Sequence, residues 1–190
     1  MFKPVLAALI IAASPAAAQD ADGNDRPSNW RVTHQSKSGI WTTACDERGA
    51  GEALEQRCYI RWVDVFSPKP KFAALFVFIT NADNRPEVAF GTEAGTLFSP
   101  GGFRIENGGR RVWNTLRPGC LTGLRCTFTG DDALKLIGVM QSEGEFAFEF
   151  RDRHGTSQSL RWPLSGFADA LERFNAQSGL RGLPTLPIAP

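Results

Sequence analysis

The segment "GEFAFEFRDRHG" (144–155) sets Phe146, Phe148 and Phe150 against Ala147, Glu149 and Arg151. Successive side chains on a strand point to opposite faces, so this period of two puts three rings on one face and the polar residues on the other. A helix would send Phe148 away from Phe146, and no apolar stripe would form. "SLRWPL" (159–164) follows at hairpin distance as a partner strand. Alternation of the same kind recurs upstream. "GIWTTACD" (39–46) places Trp41, Thr43 and Cys45 on one face, and "CYIRWVDVF" (58–66) places Cys58, Ile60 and Trp62 on one face with Arg61 opposite. The chain has 14 Phe and 5 Trp but also 19 Gly and 12 Pro, which suits aromatic strands cut by turns, as in a sandwich or barrel.

"KFAALFVFIT" (71–80) is apolar on both faces and reads as a central strand packed on each side, ended by the turn cluster "NADNRPE". "EVAFGTE" (87–93) is a weaker strand. "FRIENGGRRVWNTL" (103–116) reads as a hairpin, with Asn107-Gly108 supplying the positive φ of a tight reversal. "RCTFTG" (125–130) adds another strand. Two helices are predicted. "DDALKLIGVMQ" (131–141) opens on an aspartate suited to capping and to the helix dipole, with Ala133, Leu134, Ile137 and Met140 as its stripe. "SGFADALERFNAQSG" (165–179) has Ser165 as cap, Phe167, Leu171 and Phe174 as stripe, and Gly179 as stop. The expected fold is all-β: a single antiparallel β-sandwich-like domain of about eight strands, with two short helices and two disulfides. Its expected core holds Trp41, Ile60, Trp62, Phe76, Phe78, Trp113, Phe128, Phe146, Phe148, Phe150 and Phe167.

The N-terminus sets the expected compartment. Lys3, the apolar run Val5–Ala13 and Ala16-Ala17-Ala18 form the three parts of a secretory signal, cut after Ala18, and the run is too short to span a bilayer. The periplasm or the outside is the expected destination. Cleavage removes Lys3 and leaves acidic and basic residues balanced at 20 each. That balance argues against nucleic acid as partner, because a basic face is needed to neutralise phosphates. No later run is long and apolar enough to cross a membrane. The expected organisation is signal 1–18, a flexible leader 19–36 whose "QDADGNDRPSN" is polar and turn-rich, a β domain 37–178, and a Pro-rich tail 179–190 that is loose or docked along an edge.

Four cysteines in an exported chain read most simply as two disulfides. Three pairings are open, and proximity favours Cys45–Cys58 and Cys120–Cys126. Zinc would need four ligands in close pairs, and neither His34 nor His154 has a second ligand at such a spacing. Five residues between Cys120 and Cys126 do not make the CxxC of a redox centre. No metal and no cofactor is expected. His154, near Asp152 and Ser157, sits in a turn too tight to set out a triad. Asp131 and Asp132 read as a helix start, and Glu149 as the wet side of a strand, so no carboxylate pair stands out. Arg110, Arg111, Arg151 and Arg153 cluster at hairpin ends and are the weak candidates for an anion contact.

The order of these pieces resembles the invasion-associated locus B proteins of alphaproteobacteria, over roughly residues 37–175. It begins with Gly39, Trp41, Cys45 and Asp46 as G-x-W-x-x-x-C-D and continues with Cys58 opening the next strand. Then follow an apolar strand, "LFSPGGFRIENG" before the hairpin, a second close cysteine pair, the "DDALKLI" helix and "PLSGFADALERF". The second pair departs from the family pattern: five residues intervene where four are usual, and Arg125 stands where a glycine is usual. The resemblance implies an exported, disulfide-containing all-β domain of the cell envelope, with the four cysteines structural, no catalytic residues to carry over, and a protein or surface component as partner. The alternatives are a periplasmic protein for a small anion or sugar, or a hydrolase.

Overall fold

A computed structural model describes residues 29–50, 53–67 and 71–188. The expected signal segment, the leader up to residue 28 and the last two residues of the tail lie outside them. Among the described residues, ten strands form two antiparallel sheets. The larger sheet holds β1 (Arg31–Ser38), β2 (Trp41–Ala50), β3 (Ala53–Ser67), β4 (Ala73–Ala82), β5 (Arg85–Thr92) and β8 (Cys126–Thr129), in that order. The smaller holds β10 (Ser157–Pro163), β9 (Glu145–Arg151), β6 (Leu97–Asn107) and β7 (Arg110–Asn114). A one-turn helix α1 (Pro118–Leu121) carries the chain from β7 to β8, α2 (Asp131–Met140) from β8 to β9, and α3 (Phe167–Leu180) follows β10. The two expected helices are therefore α2 and α3. Among the described residues no helix is long and apolar enough to cross a membrane.

The inner faces interlock through aromatic rings. Phe90 of β5 meets Phe103, Phe146, Phe148 and Phe128 with centroids 4.9–6.4 Å apart, mostly edge to face, the geometry that ring quadrupoles favour. One polar link crosses the sandwich: the Trp162 indole N–H donates to Asp64 Oδ2 at 2.9 Å. Turn chemistry fixes the register. Asn107 pairs Arg110, so Gly108-Gly109 is the two-residue turn and both have positive φ, one position beyond the expected Asn107-Gly108. Asp83 and Asn84 have positive φ between β4 and β5. These residue types tolerate that conformation best after glycine.

Several expectations are corrected. Residues 31–36, expected in the flexible leader, form most of β1, paired with β2 from Arg31 to Ser38. Apart from Val32 their side chains are polar, and all are exposed or half-buried because β1 is an edge strand, so the segment carries no apolar alternation. Ser165 and Asp131 are not caps: the N-caps of α3 and α2 are Gly166 and Gly130, without side-chain hydrogen bonds. Gly166 takes φ 83°, and a Cβ there would lie 2.7 Å from the Ser38 carbonyl oxygen, so the β1–β2 turn occupies the space a capping side chain would need. On α2, Leu136 replaces Leu134 in the buried stripe.

The tail is docked. Asn175 donates to the Leu186 carbonyl and accepts from its N–H, Asn81 donates to the Thr185 carbonyl, and Leu186 is buried in the core. Helix α3 also runs past the expected boundary at 178, to Leu180. It packs on the inner face of β1–β3, with Trp41 edge-on to Phe167 at 5.1 Å and the Thr43 hydroxyl donating to the Ala170 carbonyl at 2.9 Å.

Candidate binding surface

Two outer faces remain, and they differ. On the smaller sheet, Arg104, Glu106, Glu145, Glu149 and Arg161 form one connected network. Arg104 pairs with Glu106 and with Glu149 at 2.6 Å, and Arg161 pairs with Glu106 at 2.7 Å and Glu145 at 3.0 Å. Arg104 lowers the pKa of both Glu106 and Glu149 through these bonds, Arg161 adding to it at Glu106. The carboxylates in turn raise both arginines. Ala147, flanked by Arg104 and Arg161 in register, is buried beneath the arginine stems. This face meets its own hydrogen-bonding needs.

The larger sheet is different. Its inner side uses Leu75, Val77 and Ile79 of β4, all buried, which leaves Phe76 and Phe78 on the other side. Both were expected in the core. The run is apolar on both faces, but only one face is covered. Phe76 is 36 % exposed, and its neighbours on β3, Val63 and Val65, are 41 % and 49 % exposed. Tyr59, Phe78 and Phe76 form a ladder with centroids 5.8 and 5.7 Å apart. Gly91 makes room for it. Phe76 pairs Gly91 across the strands, and a Cβ on Gly91 would lie 2.0 Å from Phe76 Cζ. The Phe76 ring therefore lies down over β5 rather than standing upright.

Cations border the ladder. The Arg57 guanidinium sits 3.8 Å from the Trp30 ring centroid and 5.8 Å from that of Tyr59, and pairs with the buried Asp46. Burial, then the Asp46 carboxylate, raises the Tyr59 pKa. The strand register builds one continuous row from Lys37 through Thr42, Arg61, Phe78 and Ala89 to Thr127. Neither Lys37 nor Arg61 has an ion-pair partner among the described residues. The sequence signal for this face was Arg61 set opposite Cys58, Ile60 and Trp62.

The sequence candidates fall elsewhere. Cys45 bonds Cys58, its direct cross-strand partner, and Cys120 bonds Cys126 around α1. No cluster of three metal-binding side chains occurs among the described residues. Arg110 and Arg111 lie beside Asn107 and Glu106 at one end of β6, whereas Arg151 pairs Leu97 at the other. Arg153 is held by Glu93 at 2.5 Å and by the Phe72 carbonyl. The four arginines do not converge on one anion site.

His34 Nε2 lies 3.2 Å from Ser36 Oγ, with burial and then Arg181 and Arg173 lowering its pKa. Asp152 does not orient the His154 ring. Its carboxylate accepts from the His154 and Thr156 backbone N–H groups and from Gln158, tying the turn. Asp132 pairs with Arg117. A cleft of about 530 Å³ lies beside the docked tail, lined by Gln56, Asn81, Phe174, Leu183 and Pro184 among others.

Fold and face together define a disulfide-stapled, two-sheet antiparallel sandwich with one self-paired and one open apolar outer surface. No family model and no curated protein matches the chain. Among solved structures it is similar to the crystal structure of invasion associated protein B from Bartonella henselae, at 17% identity and a TM-score of 0.45, over 77% of this chain and 99% of that one.

Proposed function

We propose that the chain is an exported, non-enzymatic protein of the cell envelope, and that it holds a partner on the outer face of the larger sheet. The observation that carries this reading is that face: Val63, Val65, Phe76, Phe78 and Tyr59 are grouped on one side of β3 and β4 and left partly exposed. Exposing them costs hydration free energy of about 25 cal/mol per Å², which binding recovers. Export through residues 1–18 agrees with two disulfides, since such bridges persist in oxidising compartments.

The test is retention on isolated envelopes of the cell of origin. The wild-type chain should sediment with them. Val63→Asp, which places a charge on the open face, should remain soluble while keeping its thermal midpoint. Equal retention of both would refute the reading.

A further inference from the structure

We infer that the partner taken by this face is an anionic polysaccharide. The inference rests on the reading of the face as the binding surface and adds the chemistry of what it binds.

The Phe76 ring lies down over Gly91, so one side of its π system faces outward. That side is the negative end of the ring quadrupole. The polarised C–H groups on the flat side of a sugar ring are its natural complement. Phe78 meets it edge-on, with the planes at 77°, and Tyr59 follows at 53° to Phe78, so the stacking surface is the single Phe76 ring with an aromatic wall beside it.

Charge then selects among sugars. Arg61 and Lys37 stand in the cross-strand row that contains Phe78, and neither is neutralised by a carboxylate among the described residues. They are two strands apart, or about 10 Å. Carboxylates on alternate residues of an extended polyuronate have a similar separation. A polymer lying across the strands would thus meet ring, cation, cation in sequence.

Other occupants fit less well. Arginine beside aromatic rings is also the make-up of a protein interface core, but in a dry core Arg61 would have to give up its water as well as find a carboxylate. A hydrated polymer leaves Arg61 in contact with water while pairing it. The opposite sheet offers no comparable site, because each arginine of its network already holds a glutamate.

Affinity electrophoresis of the full, oxidised domain through gels containing alginate, with dextran as the neutral polymer, tests this. Alginate should retard the wild-type chain and dextran should not, and retardation should weaken as salt screens the contact. Arg61→Gln and Phe76→Ala should each weaken binding about tenfold, the loss of one substantial contact. Arg151→Gln, outside the face, should leave it unchanged, and thermal midpoints would confirm that each variant is folded.

Equal retardation by dextran, no retardation by alginate, or full binding by folded Arg61→Gln and Phe76→Ala variants would overturn the inference. If alginate fails while Val63→Asp still abolishes envelope retention, the polysaccharide is wrong and the binding face stands. If envelope retention is also insensitive to Val63→Asp, both fall.

Discussion

Gly166→Ala should be among the most damaging single-methyl additions in this domain, and Gly155→Ala shows why. The two glycines have nearly the same φ, 83° and 80°. At Gly155 an added Cβ meets nothing within 4 Å, whereas at Gly166 it lies 2.7 Å from both the carbonyl carbon and oxygen of Ser38 and 3.0 Å from Gly39 N. Gly155→Ala therefore carries only the left-handed backbone penalty, about 1–2 kcal/mol. Gly166→Ala adds overpacking against rigid backbone, a further 1–3 kcal/mol or so. That strain falls where Trp41 meets Phe167, since Gly166 caps α3 and Ser38 and Gly39 lead into β2. Urea unfolding followed by tryptophan fluorescence gives both values, with unchanged m-values confirming that stability alone has moved. A Gly166→Ala cost no larger than that of Gly155→Ala would refute the claim that close backbone approach, rather than φ, demands glycine there.

Removing the bridges as Cys45→Ala/Cys58→Ala and Cys120→Ala/Cys126→Ala should cost about 3.0 and 2.4 kcal/mol in loop-closure entropy respectively, for separations of 13 and 6 residues; denaturant titration of the double variants should find the first at least as costly. Asp64→Ala leaves the buried Trp162 N–H without its acceptor, and should destabilise by about 1–3 kcal/mol and alter the near-ultraviolet circular dichroism. The Asp152 pKa is lowered chiefly by Gln158, with the Thr156 and His154 backbone bonds adding to it. Its stabilising effect is therefore full above the unfolded carboxylate value of about 4 and disappears as pH falls through the lower folded value. Thermal midpoints should drop across that range, and Asp152→Asn should start lower and drop less.

Strand content was legible wherever one face was wet. The Phe146, Phe148 and Phe150 alternation, the Trp41 strand and the α3 stripe all appear as read, because period-two or period-3.6 burial leaves a mark in residue order. "FAALFVFIT" misled for the same reason. Apolar residues on both faces normally mean two covered faces, and here one is open. β1 was missed because an edge strand has little to bury. Both helix caps were misassigned, because the glycines at 130 and 166 answer to turns and to neighbouring backbone that local sequence does not contain. The proposed binding face depended on register: Lys37 and Arg61 are 24 residues apart in the chain and become neighbours in a row only through Thr42.

The placement of α3 has a consequence for how the molecule is made. Trp41, Cys45, Cys58 and Ile60 precede by more than a hundred residues the helix that shields them, and Leu186 completes the same core further on. The long sequence separation of these contacts makes closure slow and late. Until α3 docks, β2 and β3 have no cover for their apolar side, so the disulfide between them is shut into the core only by a contact made from far along the chain.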